Sequence, residues 1–481
     1  MTPLLGFSPD LDPMTPGVIT DCSMVIPFES GLKGAPAAAS VGVTALAAAC
    51  TGTAVLSDLS NNRRFIAGTA AKLYEWSGSA WTDVSRGTSY SAGTEDRWSF
   101  IQYGNSALAA TITAKIQRST GAAFADISGA PQATVIESVL GFALAFNTID
   151  ATYGTSPDRW WCSALYDETN WTPAISTQCT TGRLVGGSGP ITAARRFGDD
   201  IVVYKNRTLF VGRYAGPPSV WDFRQVSNDV GCVGPDAVVD TMIGHIFVGQ
   251  DNVYLFDGTT PRPLDNALAL RNWLFLDMNP TYRYKTIVSY DRINHTVSIY
   301  YASTASSALD SCVVYHLLSK QWGRANRSIE AAVAYTSPSL SYSGSSLITT
   351  YDAGPSIPYD SPFWTSGAQV AAVFNTSHTV QSLSGACTAS SLTTGDVGDE
   401  SGYTMCDKVR IRYAQAPTTS TATGYTRDQE GVTLATQTST GMTDGRHDMR
   451  QRARFHRFKF DQTGDWKASA VRADLKPAGA R

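Results

Sequence analysis

The sequence predicts an all-β protein: a β-propeller of about six to eight blades with an additional C-terminal β-sandwich or barrel domain. Three observations lead to this prediction, namely local hairpins, a turn-rich composition and a loose internal repeat. The clearest hairpins lie within residues 189–258, where IVVY (201–204) and TLFV (208–211) flank a polar turn. A second pair, IFV (246–248) and VYLF (253–256), flanks the turn GQDN. Such short-range pairing predicts antiparallel sheet without helical crossovers.

Length and composition agree with a turn-rich β-protein. A chain of 481 residues is too long for one ordinary core, which favours several domains or a closed repeat of small sheets. Only 16% of the residues are charged and 10% are aromatic. The formal net charge of -3 gives no reason to expect binding of nucleic acid over the whole chain, because phosphate affinity needs concentrated Lys and Arg.

The internal repeat consists of a strand, a tyrosine, a further apolar or aromatic residue and a turn. KLYEWSG (72–78) matches NVYLFDG (252–258), and residues 313–322 form a weaker third member. A four-stranded sheet cannot bury both of its faces alone, so neighbouring blades must cover each other. We expect packing between blades, rather than a sugar-binding platform, from these aromatic residues: Tyr74, Tyr254, Tyr315, Trp171, Trp221 and Trp322.

The predicted domains are an extended N-terminal arm (1–34), a propeller body (35–360) and a C-terminal β-rich domain (361–481). Prolines at positions 3, 9, 13, 16 and 27 exclude a long helix from the arm, which should lie along the body or a neighbouring subunit. After residue 360 the pattern changes to connections rich in Ser, Thr and Gly. The predicted strands of this last domain are 370–374, 408–413, 432–436 and 454–460.

Eight cysteines are scattered without CxxC pairs or zinc spacing, which indicates buried reduced thiols. A disulfide between Cys387 and Cys406 is the alternative. The N-terminus shows no signal peptide, so we expect no secretion by that route. The apolar run 35–50 is interrupted by polar residues and is shorter than the roughly 20 residues of a membrane span, so no such span is expected.

A basic run near the C-terminus is the most distinctive local feature. Within GRHDMRQRARFHRFKF, six basic residues stand against the single acid Asp448. The run is interpreted as a solubilising outer strand, as a lining for a DNA passage, or as a surface for subunit pairing with an acidic segment such as 396–400. Phe455 and Phe458 have opposite parity, which requires a bulge or a strand buried on both faces.

The sequence offers no enzymatic signature. The six histidines form no metal-binding spacing, and GxSxG and P-loop motifs do not occur. A propeller glycosidase would need paired carboxylates, for which the candidates are Asp199-Asp200, Asp167-Glu168 and Asp291. Adjacent carboxylates on a strand point to opposite faces, so Asp199-Asp200 is interpreted as a turn. We therefore expect neither catalytic residues nor a cofactor or metal.

The order of segments carries a family resemblance. A Pro/Gly-rich start is followed by GFALAFNTIDATYGTSPDRWWCSALYDETNW, ARRFGDDIVVYKNRTLFVGRY, VWDFRQVSNDVGCVGP, HIFVGQDNVYLFDG and a closing RFHRFKFDQTGDWKASAVRADLKPAGAR. This order resembles the tail nozzle proteins of short-tailed bacteriophages, also called tail tubular protein B or tail stabilisation-type hub proteins. The resemblance covers residues 141–481 and lies in the texture of strands and turns.

The resemblance implies a structural virion protein of the phage tail. Copies would form a ring of six subunits below the portal and adaptor, in contact with tail fibres or spikes, and would conduct double-stranded DNA. Such a protein is not expected to be an enzyme. A receptor-binding or glycan-processing propeller is the alternative, and a monomeric scaffold is a third reading. The candidate contacts with DNA or with neighbouring subunits are Arg195, Arg196, Arg446, Arg450, Arg452, Arg454, Arg457 and Lys459.

Overall fold

The computed structural model describes residues 1–336, 369–398 and 400–479. Five strands come first: β1 (Thr2–Pro3), β2 (Ile19–Ser23), β3 (Val25–Phe28), β4 (Gly31–Gly34) and β5 (Ala37–Ser40). The next three groups are β6 (Gly52–Ser57), β7 (Arg63–Gly68), β8 (Leu73–Trp76) and β9 (Trp81–Asp83); β10 (Ser99–Tyr103), β11 (Ser106–Thr111), β12 (Ala114–Ser119) and β13 (Ala125–Asp126); β14 (Gln132–Val139), β15 (Phe142–Asp150), β16 (Gly154–Cys162) and β17 (Thr180–Arg183).

Three further groups continue the same pattern: β18 (Ile191–Phe197), β19 (Asp200–Lys205), β20 (Leu209–Gly216) and β21 (Val220–Ser227); β22 (Val238–Thr241), β23 (Gly244–Val248), β24 (Val253–Phe256) and β25 (Pro261–Pro263); β26 (Ile287–Asp291), β27 (Thr296–Tyr301), β28 (Ser311–His316) and β29 (Gln321–Arg324). Helix α1 (Arg271–Asp277) lies between β25 and β26, flanked by 3-10 turns at Ala267–Ala269 and Arg283–Lys285.

The last strands are β30 (Ile329–Thr336), β31 (Gln369–Asn375), β32 (Val380–Gly385), β33 (Ala389–Thr394), β34 (Val397–Gly398), β35 (Thr404–Gln415), β36 (Thr419–Arg427), β37 (Ala435–Gly441), β38 (His447–Ala453), β39 (Phe455–Thr463) and β40 (Lys467–Pro477). The two predicted hairpins are confirmed as β19–β20 and β23–β24. The predicted strand at 432–436 begins later, at Ala435.

The first strands of successive groups lie side by side and close a ring. β6 neighbours β10, β10 neighbours β14, and the series continues through β18, β22 and β26 to β30, which returns to β6. Within each group the strands pair antiparallel with their neighbours in sequence. This arrangement is a β-propeller, so the predicted fold class is confirmed. The described residues contain seven four-stranded groups. Units 1–7 are the groups whose first strands are β6, β10, β14, β18, β22, β26 and β30, in that order.

The repeat recognised in the sequence marks the same position in three units. Residues 72–78 hold β8, residues 252–258 hold β24, and residues 313–322 hold most of β28, and each is the third strand of its unit. The predicted packing role of the aromatic residues agrees with their burial. Five of them are at least nine-tenths buried, and Tyr74 is packed against a core cluster as a partly buried side chain.

Unit 7 is completed from both ends of the chain. Its strand order is β30–β31–β32–β5, so the N-terminal strand β5 forms the outer edge beside β32. The predicted domain boundary between residues 360 and 361 lies outside the described residues. The strands that follow it, β31 and β32, nevertheless belong to the propeller, because β31 pairs along its whole length with β30. The propeller therefore extends to Gly385.

The remaining strands form a β-sandwich that both termini build. One sheet runs β3–β4–β40–β35–β38 and the other runs β2–β33–β39–β36–β37. Val409 and Ile411 of the first sheet share a buried core with Phe458 and Phe460 of the second. The sandwich was predicted to be separate, but β3 pairs with β29 and so continues the sheet of unit 6. The N-terminal arm lies along the chain's own body.

Burial of the cysteines agrees with the prediction of reduced thiols. All eight are unpaired and buried, and Cys387 and Cys406 form no disulfide. Close packing between units also depends on glycine: a Cβ on Gly68 in β7 would come within 2.3 Å of the Trp98 ring. That ring lies just before β10 and is covered by units 1 and 2 together. Replacement of Gly68 would push the two units apart.

Candidate functional site

Five of the seven first strands, β6, β18, β22, β26 and β30, line an axial cavity of about 450 Å³. Its wall includes Thr53 from β6, Arg195 from β18, Val239 from β22, Ser289 from β26 and Val333 from β30. Each first strand places successive side chains on opposite faces of its sheet, and each first strand has a neighbouring unit on either side. The cavity is therefore a product of the ring, and no single unit forms it.

An ion-pair network crosses one part of this wall. Arg97 Nε lies 3.0 Å from Asp236 Oδ2, and Arg195 Nη1 lies 3.2 Å from Glu137 Oε1. Arg195 Nη2 also lies 3.8 Å from Asp236 Oδ1. Arg97 donates a further hydrogen bond to the carbonyl oxygen of Glu330 at 3.1 Å. The network joins residues in the first strands of units 3, 4 and 7 with the segments that precede units 2 and 5.

The electrostatics of this network favour the charge of Arg195 but not that of Glu137. Burial opposes the charge of Arg195, but Glu137 and Asp236 outweigh it and raise the pKa of the guanidinium. Burial raises the pKa of Glu137, and Arg195 counteracts this effect only in part. The network links side chains of several units around the axis.

The two predicted contacts at positions 195 and 196 separate in the structure. Arg195 points into the axial wall and is engaged within the chain, as described above. Arg196 faces the outside, donates to the carbonyl oxygen of Gly198 at 2.7 Å and lies 4.0 Å from Asp199. Consecutive residues of a strand point to opposite faces, which explains the difference. Only Arg196 remains open to a partner.

The predicted basic run divides into paired and open arginines. Arg457 Nε and Nη2 donate to the two oxygens of Asp396 at 2.8 and 3.1 Å, and Arg427 also binds that carboxylate. The Asp396 side chain is fully buried. Asp396 belongs to the acidic segment that was considered as the partner of the run in another subunit. The pair instead forms within one chain, and Arg457 is a structural residue.

The other members of the run lie nearer the surface. Arg446 lies 3.5 Å from Asp448, and Lys459 lies 3.0 Å from Asp461. Arg450 is exposed, and the guanidinium groups of Arg452 and Arg454 lie 4.7 and 5.4 Å from the centroid of the Tyr403 ring. Arg450, Arg452 and Arg454 therefore keep their charges available to an outside partner.

The opposite parity of Phe455 and Phe458 arises within β39, which contains both residues. Phe455 and the next residue, His456, are both buried, so the strand is buried on both faces where it begins. Its pairing with β36 shows no register shift, so no bulge intervenes. Of the two predicted alternatives, the strand buried on both faces is confirmed. β38, in the other sheet of the sandwich, alternates strictly between buried and exposed residues.

The carboxylates proposed for a glycosidase serve local structure. Asp200 pairs with Arg213 at 2.9 Å, and Asp199 is exposed in the turn before β19, as interpreted from the sequence. Glu168 binds Arg118 and Ser106, each at 2.7 Å. Asp167 and Asp291 accept hydrogen bonds from their own turns.

Two sets of surface and cavity residues were not identified in the sequence. Arg97, Glu137 and Asp236 come together only through the ring, and no motif announces them. The sequence did contain a signal for a basic surface on β35, because residues 408–412 (KVRIR) alternate basic and apolar side chains.

Among the described residues, no group of three or more His, Cys, Asp or Glu side chains is placed to hold a metal ion. The described part of the chain contains no helix long and apolar enough to cross a membrane.

The fold and cavity define the class of this protein as a β-propeller with an integral β-sandwich. No protein-family model and no curated protein matches the chain. One solved structure that is similar to it is YCF48 bound to D1 peptide. The two chains are 14% identical, the match covers 61% of this chain and 87% of that chain, and the TM-score is 0.34. The N-terminal domain of Nup159 has 9% identity, 79% and 98% coverage, and a TM-score of 0.35.

A third similar structure is the extracellular domain of the putative one component system BT4673 from B. thetaiotaomicron. It has 9% identity and a TM-score of 0.39, and the match covers 84% of this chain and 46% of that one. At these identities and TM-scores the similarities carry no information about function. The assignment as a propeller depends on the strand pairing described above.

Proposed function

We propose that this protein is a structural, non-enzymatic component of a bacteriophage tail. In this proposal it is a subunit of a ring-shaped nozzle that conducts double-stranded DNA during ejection. The resemblance in segment order supports the proposal, as does the propeller with its added sandwich. The partners are five further copies of the chain, the phage adaptor and portal proteins, and tail fibres or spikes. The protein is made in the host cytoplasm and resides in the virion tail.

The observation that carries the proposal is that strands from the N-terminal and C-terminal segments pair with strands of the propeller and of the sandwich. The sheet of unit 6 continues through β3 and β4 into β40, β35 and β38 of the sandwich. β5 closes unit 7, so the N-terminal segment is held in the propeller as well. Pulling on such a body must break many backbone hydrogen bonds together. A subunit that bears load while a genome passes needs this property.

The axial cavity is not the DNA path in this proposal. A cavity of about 450 Å³ has the size of a small-molecule pocket, which spans about 300–1,000 Å³. The network of Arg97, Asp236, Arg195 and Glu137 also fixes the inner strands in place. The DNA therefore passes between copies, through the bore of the ring. The formal net charge of -3 suits a path along which DNA slides, because each added phosphate contact strengthens retention.

Mass measurement and imaging test the proposal. Native mass spectrometry of the purified chain, alone and with the adaptor, should give six copies, and negative-stain images should show hollow rings. The ring should bind at the portal end of tailless particles. A protein that stays monomeric both in solution and in particles would exclude the nozzle. Rings that are made but do not restore ejection to particles lacking this protein would exclude the conduit.

The second candidate is a glycan-binding or glycan-processing propeller, and the axial cavity gives it one supporting observation. Arg97, Arg195 and Arg292 line the cavity together with Asp236 and Asp240. Burial raises the pKa of Asp240, which is the direction required of a general acid. A panel of host polysaccharides, with binding and reducing-end assays on wild type and Asp240→Asn, distinguishes the two. A nozzle shows neither activity.

A further inference from the structure

One outer face of the sandwich carries five basic residues on three adjacent strands. β4, β40 and β35 are neighbours in that order, with the buried Leu32, Ala468 and Ile411 facing inward. The opposite, outward positions hold the five basic side chains. We call this set the basic strip, and its members are Lys33, Lys467, Arg472, Arg410 and Arg412.

The register of the strands places like charges directly opposite each other. Lys33 pairs with Lys467 across β4 and β40, and Arg410 pairs with Arg472 across β35 and β40. Side chains directly opposite on one face of a sheet have Cβ atoms about 5 Å apart, where like charges are destabilising. Burial and the charge of Lys467 lower the pKa of Lys33. The repulsion is therefore present in the folded protein.

Acidic residues within the chain offset only part of this charge. Asp291 raises the pKa of Lys33, against the effects of burial and of Lys467. Arg472 Nε lies 2.8 Å from Asp474. In the described parts of the chain, the other four members of the strip have no carboxylate oxygen within 4.0 Å of their side-chain nitrogen atoms. The Nε atom of Arg410 is buried and has no hydrogen-bond partner among the described residues. The side-chain charges of Lys467, Arg410 and Arg412 are therefore not paired with a carboxylate of the described residues.

We propose that the basic strip binds the phosphate backbone of double-stranded DNA. The inference rests on the proposed conduit and adds the surface that would line its bore. Residues two apart on a strand are separated by about 6.8 Å and neighbouring strands by about 4.8 Å, so the strip presents a two-dimensional set of charges. Such a set suits the two phosphate strands of a duplex.

The composition of the strip favours a duplex over single-stranded nucleic acid. Residues 408–412 and 467–477 contain no aromatic side chain. Single-stranded nucleic acid is held mainly by bases stacked on aromatic rings. Contacts made to phosphate oxygens are independent of the base sequence. The strip therefore holds DNA weakly and without a preferred sequence, as sliding requires.

Binding of a fluorescent 30-base-pair duplex to the full-length protein, measured by anisotropy across a salt series, tests the inference. Each phosphate contact contributes about −0.9 to the slope of log K against log salt. Arg410→Gln/Arg412→Gln should make this slope shallower by about two. Between about 50 and 200 mM salt the wild type should then lose about tenfold more affinity than the variant.

A matched control removes two exposed arginines from the propeller edge. Arg183 and Arg213 have side chains 55% and 68% exposed, and each is paired with an aspartate as Arg472 is. Arg183→Gln/Arg213→Gln should leave the slope unchanged. Lys467→Gln removes one repelling partner, so it should not lower the melting temperature while it makes the slope shallower by about one.

Three results would overturn the inference. The first is a wild-type slope near zero, and the second is an equal slope in the strip variant and the control. The third is that the protein binds polyglutamate through Arg410 and Arg412 but does not bind the duplex. The last result would assign the strip to an acidic protein surface. Native mass measurement of the same samples separates this failure from failure of the nozzle. Six-membered rings whose DNA binding ignores the strip would refute the strip alone.

Discussion

Neutralisation of Asp396 should destabilise the sandwich far more than neutralisation of an exposed aspartate nearby. The Asp396 carboxylate is fully buried and binds two arginines, Arg457 through two hydrogen bonds and Arg427 through another. Asp396→Asn keeps the shape and one acceptor oxygen but removes the negative charge. Two largely buried guanidinium groups would then face each other without a counter-charge.

The size of the effect follows from burial. Removing one partner of a buried ion pair costs about 3–5 kcal/mol, because the remaining charge stays desolvated. The amide oxygen of asparagine still accepts one hydrogen bond, so we expect about 3 kcal/mol. Asp448→Asn is the matched control, since Asp448 and Arg446 are 3.5 Å apart and both are well exposed. Exposed pairs contribute about 0–1 kcal/mol.

Urea unfolding followed by circular dichroism measures the difference. With a slope of about 3 kcal/mol/M, the midpoint of Asp396→Asn should fall by about 1 M and that of the control should change little. Arg457→Gln should also lower the midpoint yet leave the salt dependence of DNA binding unchanged. Equal midpoints for the two aspartate variants would refute the structural role of Asp396. A shallower salt slope in Arg457→Gln would refute the assignment of Arg457 as an internal partner.

Three further predictions concern the surface, pH and closure of the ring. Arg452→Glu/Arg454→Glu should impair ring assembly or ejection; unchanged infectivity and ring formation would contradict this. Burial lowers the pKa of His245 from 6.5 to about 4, so the unfolded chain binds a proton first on acidification. Stability should therefore fall by up to about 3 kcal/mol from pH 6.5 to 4, and His245→Asn should flatten that profile in thermal scans at several pH values. Ala39→Pro should weaken the pairing of β5 with β32 and lower the melting temperature, and a temperature equal to wild type would show that the closure contributes little.

The expected direction for His245 depends on its hydrogen bonds. Its Nε2 lies 2.9 Å from the carbonyl oxygen of Arg196, which can only accept, so Nε2 carries the hydrogen. Nδ1 then accepts the hydrogen bond from the Tyr204 hydroxyl at 2.9 Å. A second proton on Nδ1 would reverse the direction of that bond and place a positive charge inside the core, which burial opposes. The neutral ring is thus the form that the fold stabilises.

Local features of the fold were readable from the sequence because they depend on neighbours along the chain. The hairpins β19–β20 and β23–β24 follow from apolar strands on either side of polar turns. The likeness of residues 72–78 and 252–258 marked the third strand of two units, since equivalent positions between blades need similar aromatic packing. The basic run was likewise found from its composition.

The sequence by itself determined an all-β chain of repeated hairpins with a positively charged C-terminal run. Only the tertiary structure decided that β5 pairs with β32 to complete unit 7 and that Arg457 of the basic run is bound to Asp396 within the chain. It also decided that Lys33 lies opposite Lys467. These pairs are separated by tens to hundreds of residues. Hairpins form between neighbours whatever the rest of the chain does, whereas partners so distant are chosen by the closing of the ring and the stacking of two sheets, which no local pattern records.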